Sequence, residues 1–421
     1  MKRHVAVIMS NFWPEPTGGS PTATEFAVFF QRAGVPVRVA TSMPYYPQWE
    51  IWPEYRGALW RREFHEGVEI NRSWHRVSPR VNTLMRMLQE ATLSLFALPS
   101  FVRVLRGARK VYLFTPALSF AWVGSLWARL FRIPRVVVVK DVMPDAAIEL
   151  GMLSNPFMIG LSRMMARSLY RHAEEIHTLG EGMRSRIARL CNDPTKIRLV
   201  PDTVDGSELY PVPLEDNAFR ARFVPPGTFA VLHTGNMGKK QDLFLVLRAA
   251  ALLRDDPGIH FYVFGDGAVK NAFLKERHRL GLDNVSHHPL QDRPMLKHML
   301  SGADVVLVSQ LREVVDIVVP SKLLTSMVSG AMIIAACPPD SEPHRILTES
   351  GGGVVIPAED EEALVGAIRD IRAEKTDVEA CRRAAREYAL EHFDRDAVYG
   401  RLLAEYGVEA VPGSAGETVP T

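Results

Sequence analysis

One stretch, 319–336 (VPSKLLTSMVSGAMIIAA), puts an ammonium beside a helix start. Pro320 ends the preceding segment. Ser321 is expected to N-cap a helix whose apolar side is Leu323, Leu324, Met327 and Val328. Gly330 then stops the helix and 332–336 is a buried strand. Lys322 in the first turn opposes the helix dipole, and a bound anion relieves that conflict. Free backbone N–H groups, a hydroxyl and an ammonium at one helix start can seat a diphosphate. An ordinary connection with a solvated lysine has the same local pattern. Two glycine turns stand earlier in the chain. Thr234-Gly235-Asn236-Met237-Gly238 leads into Lys239-Lys240-Gln241, and Gly265-Asp266-Gly267 closes another apolar run. Gly18-Gly19-Ser20 forms a third such turn near the N-terminus, and Lys140-Asp141 follows a fourth apolar run. Glycine lets backbone approach a ligand closely, and open α/β sheets bind ligands at the carboxyl ends of their strands.

Short apolar runs between helical patterns position these groups. Strands are expected over 4–10, 35–41, 111–114, 134–139, 175–179 and 196–201. A helix over 23–33 joins the first two, making a βαβ unit. The pattern restarts at 229–233, with further strands at 260–264, 285–289, 304–309 and 354–357. Prolines 211, 213, 225 and 226 punctuate the polar stretch between the halves. The expected organisation is therefore α/β: a domain over 1–205, a linker over 206–227, a second domain over 228–395, a helix over 396–410 and a tail over 411–421. Both domains are doubly wound parallel sheets, and a cleft between them is the default site.

Composition narrows the class. The chain has 421 residues, 47% hydrophobic and 23% charged, which is globular and too long for one typical core. The three cysteines are far apart, without metal or disulfide spacing, and point to a reducing compartment. Net charge is +2, unevenly shared. Residues 1–200 hold 27 basic and 15 acidic groups, a balance of +12, leaving 23 and 33, or −10, for the rest. The first half is thus expected to face an anionic surface. Within it, 80–110 reads as two basic amphipathic helices broken at Pro99, with Arg86, Arg103, Arg106, Arg109 and Lys110 among apolar residues. No secretory signal pattern is visible. The uncharged run 111–128 is expected to be a strand, a turn and a buried helix rather than a membrane span.

Six ordered segments carry a resemblance. They are FWPEPTGGSPTA, TSMPYYPQWEIWPEYRG, KDVMPDAAIELGML, KIRLVPDTVD, HTGNMGKKQDL and VPSKLLTSMVSG. Together they resemble the retaining glycosyltransferases of family 4, in the capsular, colanic-acid and amino-fucosyl branch. The resemblance spans about residues 4–408. It implies the two-domain GT-B fold and transfer of a sugar from a nucleoside diphosphate sugar, UDP- or GDP-linked, with retention of configuration and no metal. It implies a lipid-linked saccharide acceptor held by the first domain, in surface polysaccharide synthesis on the cytoplasmic face of the inner membrane. The protein would be peripheral on the anionic membrane surface, with no cofactor and no nucleic-acid partner.

The resemblance also carries roles to residues. Lys322 and the start at Ser321 and Leu323 would hold the leaving diphosphate, with Lys240 or Lys239 second. Gly235, Asn236 and Gly238 would present backbone to the distal phosphate. Gly265, Asp266, Gly267, Pro289 and Leu290 would border the nucleoside. Asp141 would be catalytic, and Gly18, Gly19 and Ser20 would form the acceptor-side glycine loop. Two glutamates of the family pattern fall on Ile317 and Thr325, leaving Thr325 as a weak ribose contact and Glu313 or Asp316 as substitutes for the sugar contact. Those departures raise an alternative, a catalytically degenerate GT-B protein that partners another glycosyltransferase. A dinucleotide-binding oxidoreductase is disfavoured, because no G-x-G-x-x-G opens the first helix.

Overall fold

The computed structural model describes residues 4–16, 19–79, 83–115, 117–149, 153–313 and 320–408. The chain forms two compact units. Unit 1 takes the chain up to Pro201 and again from Tyr399; unit 2 is Asp202–Val398.

In unit 1 the strands are β1 (His4–Ile8), β2 (Val37–Ser42), β3 (Trp60–His65), β4 (Val68–Ser73), β5 (Ala108–Phe114), β6 (Arg135–Val138), β7 (Glu175–Thr178) and β8 (Ile197–Leu199). Its helices are α1 (Ser20–Arg32), α2 (Thr83–Phe96), α3 (Leu98–Leu105), α4 (Leu118–Leu130), α5 (Asp145–Glu149), α6 (Pro156–Arg171) and α7 (Glu181–Ala188). The strands form one sheet in the order β3-β4-β2-β1-β5-β6-β7-β8, parallel except for the β3–β4 hairpin. Every residue of β1 is buried, as expected for a central strand covered on both faces.

Unit 2 contains β9 (Phe229–Asn236), β10 (Ile259–Asp266), β11 (Val285–His288), β12 (Val305–Ser309), β13 (Ile333–Ala336) and β14 (Gly353–Ile356). They form an all-parallel sheet, β11-β10-β9-β12-β13-β14. Its helices are α8 (Ala218–Phe223), α9 (Phe244–Leu252), α10 (Lys270–Leu280), α11 (Arg293–Gly302), α12 (Ser321–Val328), α13 (Glu342–Ser350), α14 (Glu361–Arg372) and α15 (Val378–His392), while α16 (Arg395–Leu403) runs from unit 2 into unit 1. Two apolar clusters cover the two faces of this sheet. One gathers Leu232, Phe264, Leu323, Leu324 and Met327, the other Val231, Val263, Leu307 and Ile334. The stretch read as linker contributes Leu209, Phe219 and Val224 to the first cluster.

Each apolar run read as a strand is a strand. The differences lie at ends and faces. Helix α1 begins at Ser20 rather than 23, with Pro21 in its first turn, where proline's missing N–H does no harm. The break in 80–110 falls at Ala97; Pro99 sits in the first turn of α3 for the same reason. The basic residues of this segment do not make one cationic face. Arg103 pairs with Glu69 at 2.9 Å, Lys110 with Glu175 and Glu405 at 2.8 and 2.9 Å, and Arg109 and Arg86 lie over the rings of Tyr406 and Trp49. The uncharged run 111–128 divides into β5 and α4, and among the described residues no helix is long and apolar enough to cross a membrane.

Candidate functional site

The site is built at the carboxyl edge of the second sheet. Strands β9 and β10 run in register, so that Gly235 pairs with Gly265 and Asn236 with Asp266. Both glycine turns therefore end at the same level. A Cβ on Gly265 would lie 2.0 Å from the Gly235 carbonyl oxygen, and one on Gly267 would lie 2.6 Å from that of Met237. Gly235 and Gly267 also have φ of 114° and 153°, values that favour glycine. Met237 N–H donates to the Asp266 carbonyl at 2.8 Å and Val269 N–H to that of Met237 at 3.1 Å, bracing one turn against the other. Leu311 N–H reaches the Lys240 carbonyl at 3.0 Å, which holds the loop after β12 beside the first turn. Asn236, Lys239 and Lys240 are exposed.

Helix α12 brings its lysine to this edge. Its apolar side, Leu323, Leu324, Met327 and Val328, is fully buried and fixes the rotation of the helix. Pro320, not Ser321, is the N-cap; Ser321 is the first helical residue and, among the described residues, no side chain caps the turn. The cap expected from Ser321 is thus corrected, and the physical reason is Pro320, whose backbone at φ −62° and ψ 127° already makes the entry. The Leu323 N–H turns back to the Pro320 carbonyl at 2.9 Å, which leaves the Ser321 and Lys322 amides as the ones without an intrahelical acceptor. Lys322 lies along Gly235, with its Cε 3.7 Å from where a Cβ there would stand. Its Nζ sits 3.0 Å from Nε2 and 3.3 Å from Nδ1 of His233, on β9. Burial pushes the ammonium down to about 7. Burial first, and then the Lys322 charge, hold the His233 imidazole well below its usual value. The ring is neutral, so a ring nitrogen accepts from Lys322 while other ammonium protons stay available to an anion.

The other anticipated residues fall into distinct roles. Asp266 accepts from Gly267 N–H at 2.8 Å and pairs with Lys270 at 2.6 Å, so it shapes the turn. Pro289 and Leu290 are exposed beyond β11. His287, just before them, reaches the Gly265 carbonyl at 3.0 Å, and His288 stacks on Phe264 with ring centroids 4.7 Å apart. Thr325 donates to the Lys322 carbonyl at 3.1 Å. Glu313 is exposed, whereas Asp316 and Ile317 lie outside the described residues. On unit 1, Asp141 is exposed just past β6, and the Lys140 N–H donates to Thr115 at 3.2 Å. Gly19 precedes α1 and Ser20 is buried in its first turn, while Gly18 lies outside the described residues. Sequence reasoning did not single out His233. The only signal was a histidine closing the apolar run FAVLH.

Known proteins resemble this chain in both of its units. Residues 17–203 match the glycosyl transferase 4-like domain and 228–374 match the glycosyl transferases group 1 domain. WcaI of Escherichia coli (strain K12), named as a glycosyl transferase of colanic acid biosynthesis, is 29% identical over 404 residues, covering 93% of this chain and 97% of its own. WbjE of Pseudomonas aeruginosa, named as a glycosyltransferase, is 26% identical over 269 residues, 61% of this chain and 62% of its own. Among solved structures, the sucrose-phosphate synthase of Thermosynechococcus elongatus superposes with a TM-score of 0.67 at 15% identity, covering 96% of this chain and 98% of that one. HepE of Anabaena, solved with UDP-glucose, gives 0.67 at 14% identity, covering 96% and 99%. With a 4-like domain followed by a group 1 domain, two parallel-sheet units and a relative matched almost end to end, this chain belongs to the GT-B glycosyltransferases, in the branch of the colanic acid enzymes.

Proposed function

We propose that this glycosyltransferase moves a sugar from a UDP- or GDP-sugar to a lipid-linked saccharide, with retention of configuration, during surface polysaccharide biosynthesis at the cytoplasmic face of the inner membrane. The observation that carries it is Lys322, an ammonium held down to about 7 at an uncapped helix start, beside two interlocked glycine turns. Such a group gains most from an incoming dianion, because the partner charge removes the conflict that burial creates. In this reading Lys322 and the first amides of α12 bind the diphosphate and stabilise it as it leaves, with Lys239 and Lys240 adding exposed positive charge. His233 orients Lys322 by accepting one of its protons. Protein cations do the work of charge neutralisation without a divalent ion, and Asp141 belongs to the acceptor side. WcaI supports the pathway assignment through its name, WbjE supports glycosyl transfer, and HepE supports a UDP-sugar donor.

The test is transfer from a panel of UDP- and GDP-sugars to membrane-lipid acceptors, with and without EDTA, and with NMR of the new linkage. Product of retained configuration in EDTA is expected. No donor binding and no transfer across the panel would reject the proposal. One observation favours a second reading, a degenerate GT-B partner protein: Thr325, aligned with a family glutamate, spends its hydroxyl proton on its own helix. Donor binding without transfer or hydrolysis would favour that reading.

A further inference from the structure

Unit 1 encloses a cavity of about 630 Å³, within the ~300–1,000 Å³ usual for small-molecule sites. Its walls come from α2, α4, α5 and α6, with Met143 from the loop that follows Asp141. Leu118 and Ser119 open α4 just past β5, so this cavity also lies at carboxyl ends of parallel strands. The lining is unusual for a polar-substrate enzyme: Met87, Met143, Met158 and Met165 join Leu153 and Leu161. Methionine adapts to irregular apolar shapes. Polar groups interrupt that wall: Glu90 accepts from Ser119 within it, Ser162 lines it, and three further donors stand apart. Among the described residues, Arg86 Nε, Trp122 Nε1 and Ser94 Oγ are buried and have no hydrogen-bond partner, and Ser94 is only 8% exposed. Unpaired buried donors are uncommon and costly. Two of the helices that wall the cavity, α4 and α6, also expose apolar and basic residues together. Leu126 and Leu130 of α4 and Phe157 and Met164 of α6 are exposed at 43, 72, 77 and 48%. Arg129 of α4 and Arg163, Arg167 and Arg171 of α6 are exposed among them. On α6 the exposed positions 157, 160, 164, 167 and 171 recur at helical spacing, which puts them on one stripe.

We infer that this cavity binds the hydrocarbon end of an anionic amphiphile, whose oxygens meet Arg86, Trp122 and Ser94 while the α4–α6 surface rests on an anionic bilayer. Apolar side chains mixed with arginines on one surface are what an interfacial contact requires. Within 80–110, Arg103, Arg109 and Lys110 are engaged inside unit 1, and Arg86 faces the cavity rather than a bilayer. The inference rests on the reading that the acceptor is lipid-linked, and it names where the lipid chain goes. A polyprenyl phosphate and a long-chain alkyl phosphate share the required chemistry.

The experiment uses a diazirine-bearing long-chain alkyl phosphate and the full chain. Photolabel is expected on peptides containing Met87, Trp122, Met158 and Met165. Ala91→Trp fills the cavity from an exposed position of α2 and should cut labelling about tenfold, leaving UDP or GDP binding unchanged as evidence of folding. Leu161→Trp, from α6, should do the same. Label elsewhere, or undiminished in both variants, overturns the inference. Competition by polyprenyl phosphate but not by a saturated alkyl phosphate assigns the cavity to the acceptor lipid; the opposite pattern assigns it to a membrane lipid. Labelling without sugar transfer would defeat the proposed function and spare the cavity; transfer without labelling would do the reverse.

Discussion

The carboxyl edges of the two sheets begin from the same architecture and end in opposite chemistry. At unit 2 the strands stop in glycines, side chains are cleared away, and one lysine stands over exposed backbone. At unit 1 the strands give way to helices that close a methionine-rich hollow with a few unpaired donors. A parallel sheet therefore supplies a position, and the residues just beyond the strand decide whether that position suits a phosphate or a hydrocarbon. Removing a side chain exposes backbone dipoles, whereas adding flexible apolar ones excludes water.

This contrast can be broken most violently at Gly265. A Gly265→Ala substitution places Cβ 2.0 Å from a backbone oxygen that has no rotamer to move, so a loss of ~3 kcal/mol or more in unit 2 is expected, with nucleotide binding abolished. Thermal unfolding with separate readouts for nucleotide and amphiphile checks this; intact nucleotide affinity would mean the turns are not interlocked. Next comes Lys322→Met. It should weaken nucleoside diphosphate binding by ~2 kcal/mol, the value of a charge-assisted hydrogen bond, measured by calorimetry. The same variant should be more stable than wild type below pH 7. A lysine whose folded value is depressed destabilises the fold while charged, and that penalty fades as pH rises from about 7 towards the unfolded value. A lower melting temperature for Lys322→Met at pH 6 would contradict the assignment.

A gentler probe is pH itself. Below about 7 the ammonium is already present. Above it, binding a diphosphate must take up a proton, so affinity should decline with rising pH, and calorimetry in buffers of different ionisation enthalpy should show proton uptake near pH 8. A flat profile would remove Lys322 from the diphosphate site. The smallest effect is expected in unit 1, at Glu90. Burial pushes its carboxyl up, and a single oxygen accepts from both Ser119 N–H and Ser119 Oγ at 3.1 and 2.6 Å. An amide oxygen can replace it, so Glu90→Gln should shift stability by less than ~1 kcal/mol. Its raised value means the wild-type contribution is full below the unfolded value and lost as pH rises through the folded one. Glu90→Gln should therefore flatten the acid-side stability profile and leave diphosphate affinity alone.

Much of this was legible from residues in order. Apolar runs of five or so residues, β-branched and bounded by glycine, identified the strands, because a central parallel strand must be apolar on both faces. The glycine turns and Lys322 were legible for the same reason: they are local. His233 was not, since inside FAVLH it reads as one more strand residue, and only the arrival of α12 gives it a partner. The cavity was equally hidden. Arg86, Trp122 and Met158 lie far apart along the chain, and each fits an ordinary core-facing helix. The basic pattern of 80–110 misled in the opposite way, because Glu69, Glu175 and Glu405, which engage Arg103 and Lys110, come from other elements.

The return of the chain to unit 1 bears on how the protein is made. Tyr399 packs on Phe26 and Phe29, Tyr406 on Phe30, and Glu405 pairs with Arg198 and Lys110. Synthesis delivers these residues only after all of unit 2. A ribosome-bound chain thus holds a first sheet whose Arg198 and Lys110 share Glu175 alone, and whose Phe30 has Phe26 and Tyr112 but not Tyr406 against it, for as long as about 200 further residues take to emerge, some 10–40 s at ~5–20 residues per second. The part of the molecule that is translated first is the last to be finished.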